Sequence, residues 1–256
     1  MGHANAGQFV WFDLLTKDPK AAMAFYGEVV GWKTQPFGDG GDYTMWVGSQ
    51  GPLGGVMKLP EEAAKMGAPP HWSANVQVDD VDATVALVKE LGGKIYKAPE
   101  NIPTVGRFAV IGDLYGASIS VFQPSGDMKL HDNTKPGEFC WCELYTTDQN
   151  AAFTFYSRVF GWKKMTEMEM GPMGTYVIFG LGEKQLGGMM KKPAENPMPP
   201  MWGYYTEVDD LDAAIARATK QGAKVLNGPM DVPGGRVAQL MDPQGAAFAL
   251  HRAAAK

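Results

Sequence analysis

The chain has 256 residues, a net charge of -5 at pH 7 and hydrophobic residues at 45% of its positions. This composition predicts a packed globular protein, and the mild acidity argues against nucleic acid, whose binding usually needs a basic surface. No apolar run approaches the roughly 20 residues of a membrane-spanning helix, and no secretory signal is visible. We therefore expect a cytoplasmic protein with no membrane partner.

The first elements along the chain form one βαβββ module. An aromatic-rich run at 9–14 alternates weakly and predicts a strand. Asp18 and Pro19 provide an N-cap and a first helical residue, and apolar residues then recur at helical spacing until Gly31 ends the helix. Three further strands are predicted at 32–36, 43–47 and 55–59.

A second module of the same order begins near Trp72. Residues 73–78 predict a strand, and Asp79 and Asp80 open a helix that Gly92 closes. Further strands are predicted at 94–97, 107–111 and 118–122. The polar, turn-rich segment 124–137 then predicts a linker between two domains.

The remainder of the chain repeats this pattern. Residues 139–163 match residues 9–33, and WSANVQVDDVD at 72–82 returns as WGYYTEVDDLD at 202–212. A long internal repeat predicts architecture more strongly than local signals do. We therefore expect an α+β fold of four βαβββ units in two domains, at 7–123 and 138–253. The sequence leaves open whether the units pair within each half or across the halves, and whether the protein is a monomer or a homodimer.

Motifs shared by both halves resemble those of the vicinal oxygen chelate superfamily. They are a first strand, an A-A-x-x-F-Y helix followed by Gly-Trp, a V-D-D segment and a D-x-x-G-A turn. This superfamily includes glyoxalase I, extradiol dioxygenases and bleomycin-resistance proteins, and the chain is similar to its tandem glyoxalase-like members. The resemblance implies two glyoxalase-like domains, each built on a curved mixed sheet.

The resemblance also implies where a divalent metal would be bound. The superfamily uses a histidine on the first strand, a histidine on the first strand of the second unit, and carboxylates late in each unit. The positions in this chain that correspond hold Trp11, Trp141, Ser73, Gly203, Ser120 and Ala249. None of these side chains binds such a metal well, and tryptophan offers only an N–H donor. We therefore expect both cups to lack a metal cofactor.

Each cup would then hold an aromatic residue beside a carboxylate. Trp11 and Asp13, like Trp141 and Glu143, are two residues apart on a strand and so face the same side. This arrangement suits a flat or cationic small molecule, which would stack on the indole and pair with the carboxylate. The alternative is that both tryptophans only fill the space that the metal would occupy.

Two arginines recur after a glycine at a strand start, Arg107 and Arg236. They can reach an anionic group of a ligand, or they can pair with the helix-opening acids at 79–80 and 209–210. The two roles remain alternatives at this point.

The leading functional interpretation is a glyoxalase/bleomycin-resistance-like protein that binds a small organic molecule in a metal-free cup, with or without metal-independent chemistry. The alternative is a divalent-metal-dependent enzyme, a lyase of the lactoylglutathione lyase type or a dioxygenase, with displaced ligands. Such ligands would be Glu143, Glu207 and His251 in the second half, whereas the first half offers Asp13 and His71. A third interpretation is a duplicated structural module.

Overall fold

The computed structural model describes residues 5–38, 41–193 and 198–254. It contains four successive βαβββ modules, which confirms the predicted α+β fold. Module one comprises β1 (Phe9–Thr16), α1 (Pro19–Val29), β2 (Lys33–Pro36), β3 (Tyr43–Gly48) and β4 (Gly51–Lys58). A short helix, α2 (Glu61–Lys65), precedes module two, which comprises β5 (His71–Gln77), α3 (Val81–Glu90), β6 (Lys94–Ile102), β7 (Gly106–Gly112) and β8 (Ser118–Pro124).

The second half repeats these elements. Module three comprises β9 (Phe139–Thr146), α4 (Gln149–Phe160), β10 (Lys163–Glu169), β11 (Thr175–Leu181) and β12 (Lys184–Lys191). Module four comprises β13 (Met201–Glu207), α5 (Leu211–Lys220), β14 (Lys224–Val232), β15 (Gly235–Met241) and β16 (Ala247–Ala253). Among the described residues, no helix is long and apolar enough to cross a membrane.

The starts of the four long helices were predictable because an aspartate caps each one. The carboxylate of Asp18, Asp80, Asp148 or Asp210 accepts a hydrogen bond from the backbone N–H three residues later. Such a cap satisfies one of the N–H groups that the first helical turn leaves without an intrahelical partner. Helix α2 was not predicted, because its 5 residues are too few to show a periodic pattern.

The strands form two eight-stranded mixed sheets. Their orders are β2-β3-β4-β1-β5-β8-β7-β6 and β10-β11-β12-β9-β13-β16-β15-β14. In each module the first strand runs parallel to the last, whereas the remaining pairs within the module are antiparallel. The register repeats as well, because Asp13 lies opposite Gly55 and Glu143 lies opposite Gly188.

The compact units of the chain do not coincide with its two sequence halves. Unit I consists of Met1–Val10, Ala74–Leu130 and Trp141–Trp202, and unit II consists of Trp11–Ser73, His131–Cys140 and Gly203–Lys256. Unit I therefore combines most of modules two and three, and unit II combines most of modules one and four. The sequence alone did not decide between this pairing and pairing within each half.

A buried tyrosine joins the two modules of unit II. Tyr26 on α1 donates its hydroxyl to Asp242 of module four at 3.2 Å and accepts the indole N–H of Trp72 at 3.0 Å. The turn after β15 orients Asp242, whose other carboxylate oxygen accepts the backbone N–H groups of Gln244 and Ala246. Burial, followed by the charge of Asp242, raises the pKa of Tyr26 well above its ordinary value. Tyr26 therefore remains a protonated donor.

Unit I has the same connection. Tyr156 on α4 donates to Asp113 of module two at 3.3 Å and accepts the indole N–H of Trp202 at 3.0 Å. Asp113 also accepts the backbone N–H groups of Tyr115 and Ala117. Burial raises the pKa of Asp113, and these hydrogen bonds oppose that rise. The F-Y and D-x-x-G-A motifs thus form one structural contact between paired modules.

The side chains of strand β1 point alternately into an aromatic core and towards the opposite face of the sheet. Phe12, Leu14 and Thr16 are buried, whereas the residues between them are only partly buried. Phe12 stacks on Phe139 at 3.9 Å between ring centroids and meets Tyr204 edge-on. Because neighbouring residues of a strand point to opposite faces, Trp11 and Asp13 lie on the face turned away from this aromatic core.

Candidate functional site

In unit II, three side chains form a hydrogen-bonded chain on the face of β1 that is turned away from the aromatic core. The indole Nε1 of Trp11 donates to Tyr43 Oη at 2.6 Å, and the Tyr43 hydroxyl donates to Asp13 Oδ1 at 2.5 Å. Trp11 Nε1 also lies 3.2 Å from the same carboxylate oxygen. We call Trp11, Tyr43 and Asp13 the unit II triad.

Unit I contains the equivalent arrangement on β9 and β11. Trp141 Nε1 donates to Tyr176 Oη at 2.8 Å, and Tyr176 donates to Glu143 Oε1 at 2.7 Å. The hydroxyl of Tyr145 donates to the second oxygen of Glu143. Trp141, Tyr176 and Glu143 are the unit I triad. The structure therefore brings together the tryptophan and carboxylate that the sequence predicted in each half, and adds a tyrosine between them.

The direction of the hydrogen bonds in the unit II triad follows from the protonation of its tyrosine. Burial, followed by the charge of Asp13, raises the pKa of Tyr43 far above its ordinary value of 10.0. The phenol therefore keeps its proton and donates it to the carboxylate, while its oxygen accepts the indole N–H. Both rings are held in fixed orientations by these contacts.

Paired glycines on β4 and β12 make room for the two tyrosine rings. A Cβ atom on Gly55 would lie 2.1 Å from Tyr43 Oη, and one on Gly188 would lie 2.0 Å from Tyr176 Oη. Both distances are far inside van der Waals contact, so each ring lies directly over a glycine. Tyr43 and Tyr176 were missed in the sequence, although they share the spacing at which Leu-Gly-Gly at 53–55 recurs at 186–188.

The residues at the superfamily's metal-ligand positions do not fit a metal. In unit II these positions are Trp11, Ser73, Gly203 and Ala249. The indole N–H of Trp11 is donated to Tyr43, Ser73 offers only a hydroxyl, and neither glycine nor alanine offers a side-chain atom that can bind a metal. In unit I the indole N–H of Trp141 is likewise donated to Tyr176, and Ser120 offers only a hydroxyl. No step of a metal-dependent reaction can be built on these positions.

The two recurring arginines form ion pairs with acids in the first turn of a helix. Arg107 contacts both carboxylate oxygens of Asp82, at 2.7 and 2.9 Å, and Arg236 Nη1 lies 2.8 Å from Asp212 Oδ2. The hydrogen bond from Arg107 lowers the pKa of Asp82. These acids lie two residues beyond the N-cap acids Asp80 and Asp210. A role of either arginine in ligand binding stays a prediction.

The alternative metal ligands named from the sequence lie in different units. Glu143 belongs to unit I, where it accepts the hydroxyls of Tyr176 and Tyr145. Glu207 and His251 belong to unit II and are hydrogen-bonded to each other.

The two first-half candidates, Asp13 and His71, both lie in unit II. Asp13 is part of the unit II triad, and His71 Nδ1 lies 2.7 Å from the carbonyl oxygen of Pro69.

The structure places a third side chain, that of Cys140, beside Glu207 and His251. Cys140 Sγ, a Glu207 carboxylate oxygen and a His251 ring nitrogen all lie within 4.8 Å of one another. Neither Cys140 nor Cys142 forms a disulfide. Burial, followed by the charge of Glu207, raises the pKa of the Cys140 thiol. The thiol is therefore protonated when no cation is bound.

Comparison with known proteins places the two halves of the chain in one family. Residues 8–121 and 139–250 each match the Glyoxalase/Bleomycin resistance protein/Dioxygenase superfamily. The chain is 34% identical over 244 residues to "Putative glyoxylase CFP32" of Mycobacterium tuberculosis, covering 94% of this chain and 92% of that protein. It is 30% identical over 258 residues to "Anthracycline biosynthesis protein DnrV" of Streptomyces peucetius, covering 95% of this chain and 92% of that protein.

A solved structure shows the same fold at low sequence identity. The Mn(II)-bound glyoxalase from Novosphingobium aromaticivorans aligns with a TM-score of 0.64 and 14% identity, over 98% of this chain and 83% of that chain. The four-module architecture, the internal repeat and these matches agree with one another. The chain belongs to the Glyoxalase/Bleomycin resistance protein/Dioxygenase superfamily.

Proposed function

We propose that the protein binds a small, flat organic molecule at the two triads, without a metal at the superfamily's ligand positions. The observation that carries this proposal is the recurrence of one Trp–Tyr–carboxylate chain in both units. In each unit the chain begins at the position where the superfamily has its first metal-binding histidine.

Fixed aromatic rings favour this function over a role in core packing alone. Trp11, Asp13 and Trp141 are only partly buried, so solvent still reaches them. Their internal hydrogen bonds hold the rings in place before a ligand arrives, which reduces the entropy lost on binding. A side chain that only filled the space of a lost metal would not need a partner of the same type in both units.

The chemistry of the triads favours a planar aromatic cation. An indole face attracts both flat rings and positive charge, and the carboxylate beside it adds a favourable charge interaction. One relative is named for anthracycline biosynthesis. An anthracycline is a planar polycyclic molecule with a charged amino sugar, so it combines the two features that the triads would recognise.

Fluorescence titration with an anthracycline, in EDTA and in Mn²⁺, tests the proposal. We expect the same dissociation constant in both buffers, and weaker binding of the neutral aglycone. Trp11→Ala and Trp141→Ala should each weaken binding about tenfold at their own unit, because a stacking contact contributes about 1.4 kcal/mol. Tyr96→Ala, which alters an aromatic residue that is 39% exposed, is the matched control and should have no effect. Loss of binding in EDTA, or full binding by both tryptophan variants, would refute the proposal.

A further inference from the structure

A thiol, a carboxylate and an imidazole converge at one place in unit II. They come from three strands, since Cys140 lies on β9, Glu207 on β13 and His251 on β16. Glu207 and His251 are direct partners in the parallel pair of β13 and β16, so their side chains leave the sheet side by side. The three donor atoms lie within 4.8 Å of one another. We infer that Cys140, Glu207 and His251 form a binding site for one divalent cation of the zinc type.

The donor set matches the preferences of zinc. Zn²⁺ is a borderline-soft cation that binds thiolate sulfur, imidazole nitrogen and carboxylate oxygen together, and three protein ligands leave a fourth position open. With bonds of about 2.0–2.3 Å in a tetrahedral arrangement, the ligand atoms lie roughly 3.3–3.8 Å apart. The observed limit of 4.8 Å therefore requires only side-chain adjustments of about an ångström.

Contacts around the three side chains fix which atoms face the cation. A Cβ atom on Gly235 would lie 2.8 Å from His251 Nε2, so this nitrogen faces the backbone of Gly235. The other nitrogen, Nδ1, faces Glu207. The backbone N–H of Ala253 donates to Glu207 Oε1 at 2.8 Å, which leaves Oε2 directed towards His251. Nδ1, Oε2 and the Cys140 sulfur are therefore the atoms that converge.

Binding has a defined proton balance. The Cys140 thiol now donates to the carbonyl oxygen of Tyr205 at 3.4 Å, and it loses its proton to solvent when the sulfur binds the cation. Without a cation, Nδ1 is the donor in the hydrogen bond to the Glu207 carboxylate, so a neutral His251 moves its proton from Nδ1 to Nε2 when Nδ1 binds the cation. When His251 is neutral, binding of one cation thus releases one proton, that of the Cys140 thiol. The side chain of Glu207 is 3% exposed and that of His251 is 21% exposed, so a cation would enter from the His251 side.

The repeat provides an internal control, because unit I lacks all three donors. The residues that correspond to Cys140, Glu207 and His251 are Val10, Gln77 and Phe122. The register is the same, with Gln77 opposite Phe122 as Glu207 is opposite His251. The site therefore predicts one cation per chain. Any site built on positions that both halves share would predict two.

A buried ion pair between Glu207 and His251 is the simpler explanation of two of these residues. Such a pair would neutralise the Glu207 carboxylate, which also has Arg252 Nη1 at 3.8 Å. The ion pair does not explain why the Cys140 thiol lies beside these two side chains. The two explanations make different predictions for removal of the sulfur. A cation site loses affinity for the cation, whereas a simple ion pair has no cation binding that depends on Cys140.

Calorimetry and absorption spectroscopy on the full chain test this site. The protein is purified without a metal-affinity column, treated with EDTA, dialysed and titrated with Zn²⁺ or Co²⁺. We expect one cation per chain and a thiolate-to-Co²⁺ charge-transfer band in the near ultraviolet. Cys140→Ala should abolish the band and weaken Zn²⁺ binding at least 100-fold. Loss of a residue that only hydrogen-bonds to a metal ligand already lowers metal affinity 10–100-fold. Cys142→Ala, on the same strand but outside the cluster, is the matched control and should bind as the wild type does.

Three results would overturn the inference. They are no Zn²⁺ binding tighter than millimolar, two cations per chain, or a Co²⁺ spectrum of the wild type without a thiolate band. The spectrum of the wild type keeps the test decisive if Cys140→Ala does not fold. These outcomes are independent of the anthracycline titration, because that titration reports on the triads and its EDTA arm is made without any bound cation.

Discussion

The tyrosines at the centre of the two triads allow a matched pair of substitutions, Tyr43→Phe and Tyr176→Phe. Each removes a hydroxyl that donates to a carboxylate, and a hydrogen bond to a charged group contributes about 1.5–3 kcal/mol. In unit II, Trp11 Nε1 already lies 3.2 Å from the Asp13 oxygen and can keep an acceptor. In unit I, the hydrogen bond from Trp141 to Tyr176 is lost as well, which adds about 1 kcal/mol.

We therefore expect the free energy of unfolding to fall by about 1.5–3 kcal/mol in Tyr43→Phe and by about 2.5–4 kcal/mol in Tyr176→Phe. Urea denaturation followed by circular dichroism measures both. Tyr96→Phe, whose hydroxyl donates to the Gly116 carbonyl at an exposed position, is the control and should change stability by less than about 0.5 kcal/mol. The reasoning fails if both triad variants resemble this control, or if Tyr43→Phe is the more destabilising of the two.

Three further predictions concern two glycines and the pH dependence of Tyr43. Gly188→Ala should lower the free energy of unfolding by about 1–3 kcal/mol, because its Cβ would overlap Tyr176; an unchanged urea midpoint would contradict this. Gly27→Ala should instead raise stability by roughly 0.5–1 kcal/mol, since its Cβ would have only an ordinary 3.5 Å contact inside a helix. Tyr43 has a raised folded-state pKa, so its contribution is complete below pH 10.0 and is lost as the pH rises further. In urea denaturation at a series of pH values, the free energy of unfolding of Tyr43→Phe should fall less steeply above that pH than that of the wild type, by about 1.4 kcal/mol per pH unit. An identical decline in the two proteins would count against the buried phenol.

Much of the fold could be predicted because the signals are local and occur twice. The capping aspartates fixed the starts of the long helices, and the match of 139–163 to 9–33 fixed the module order. The pairing of modules could not be predicted in the same way. It depends on contacts such as Tyr26 with Asp242, which are 216 residues apart, and the same motifs would also permit pairing within each half.

The candidate site was predictable only in part. Trp11 and Asp13 lie two apart on one strand, so their proximity follows from strand geometry. Tyr43 comes from a different strand, and its position depends on the Gly55 that lets its ring approach. The sequence contains no local signal that places Cys140 beside Glu207 and His251. The proximity of Cys140 to Glu207 depends on strands β9 and β13, which are far apart in the chain.

A crystal structure of the protein grown with an anthracycline and Mn²⁺, with data collected at the manganese absorption edge, tests the central claim most directly. We predict an aromatic ring stacked at about 3.5–4.0 Å on Trp11 or Trp141, and no anomalous peak within coordination distance of either triad. A manganese ion held at the family's ligand positions beside Trp11 or Trp141 would contradict the account.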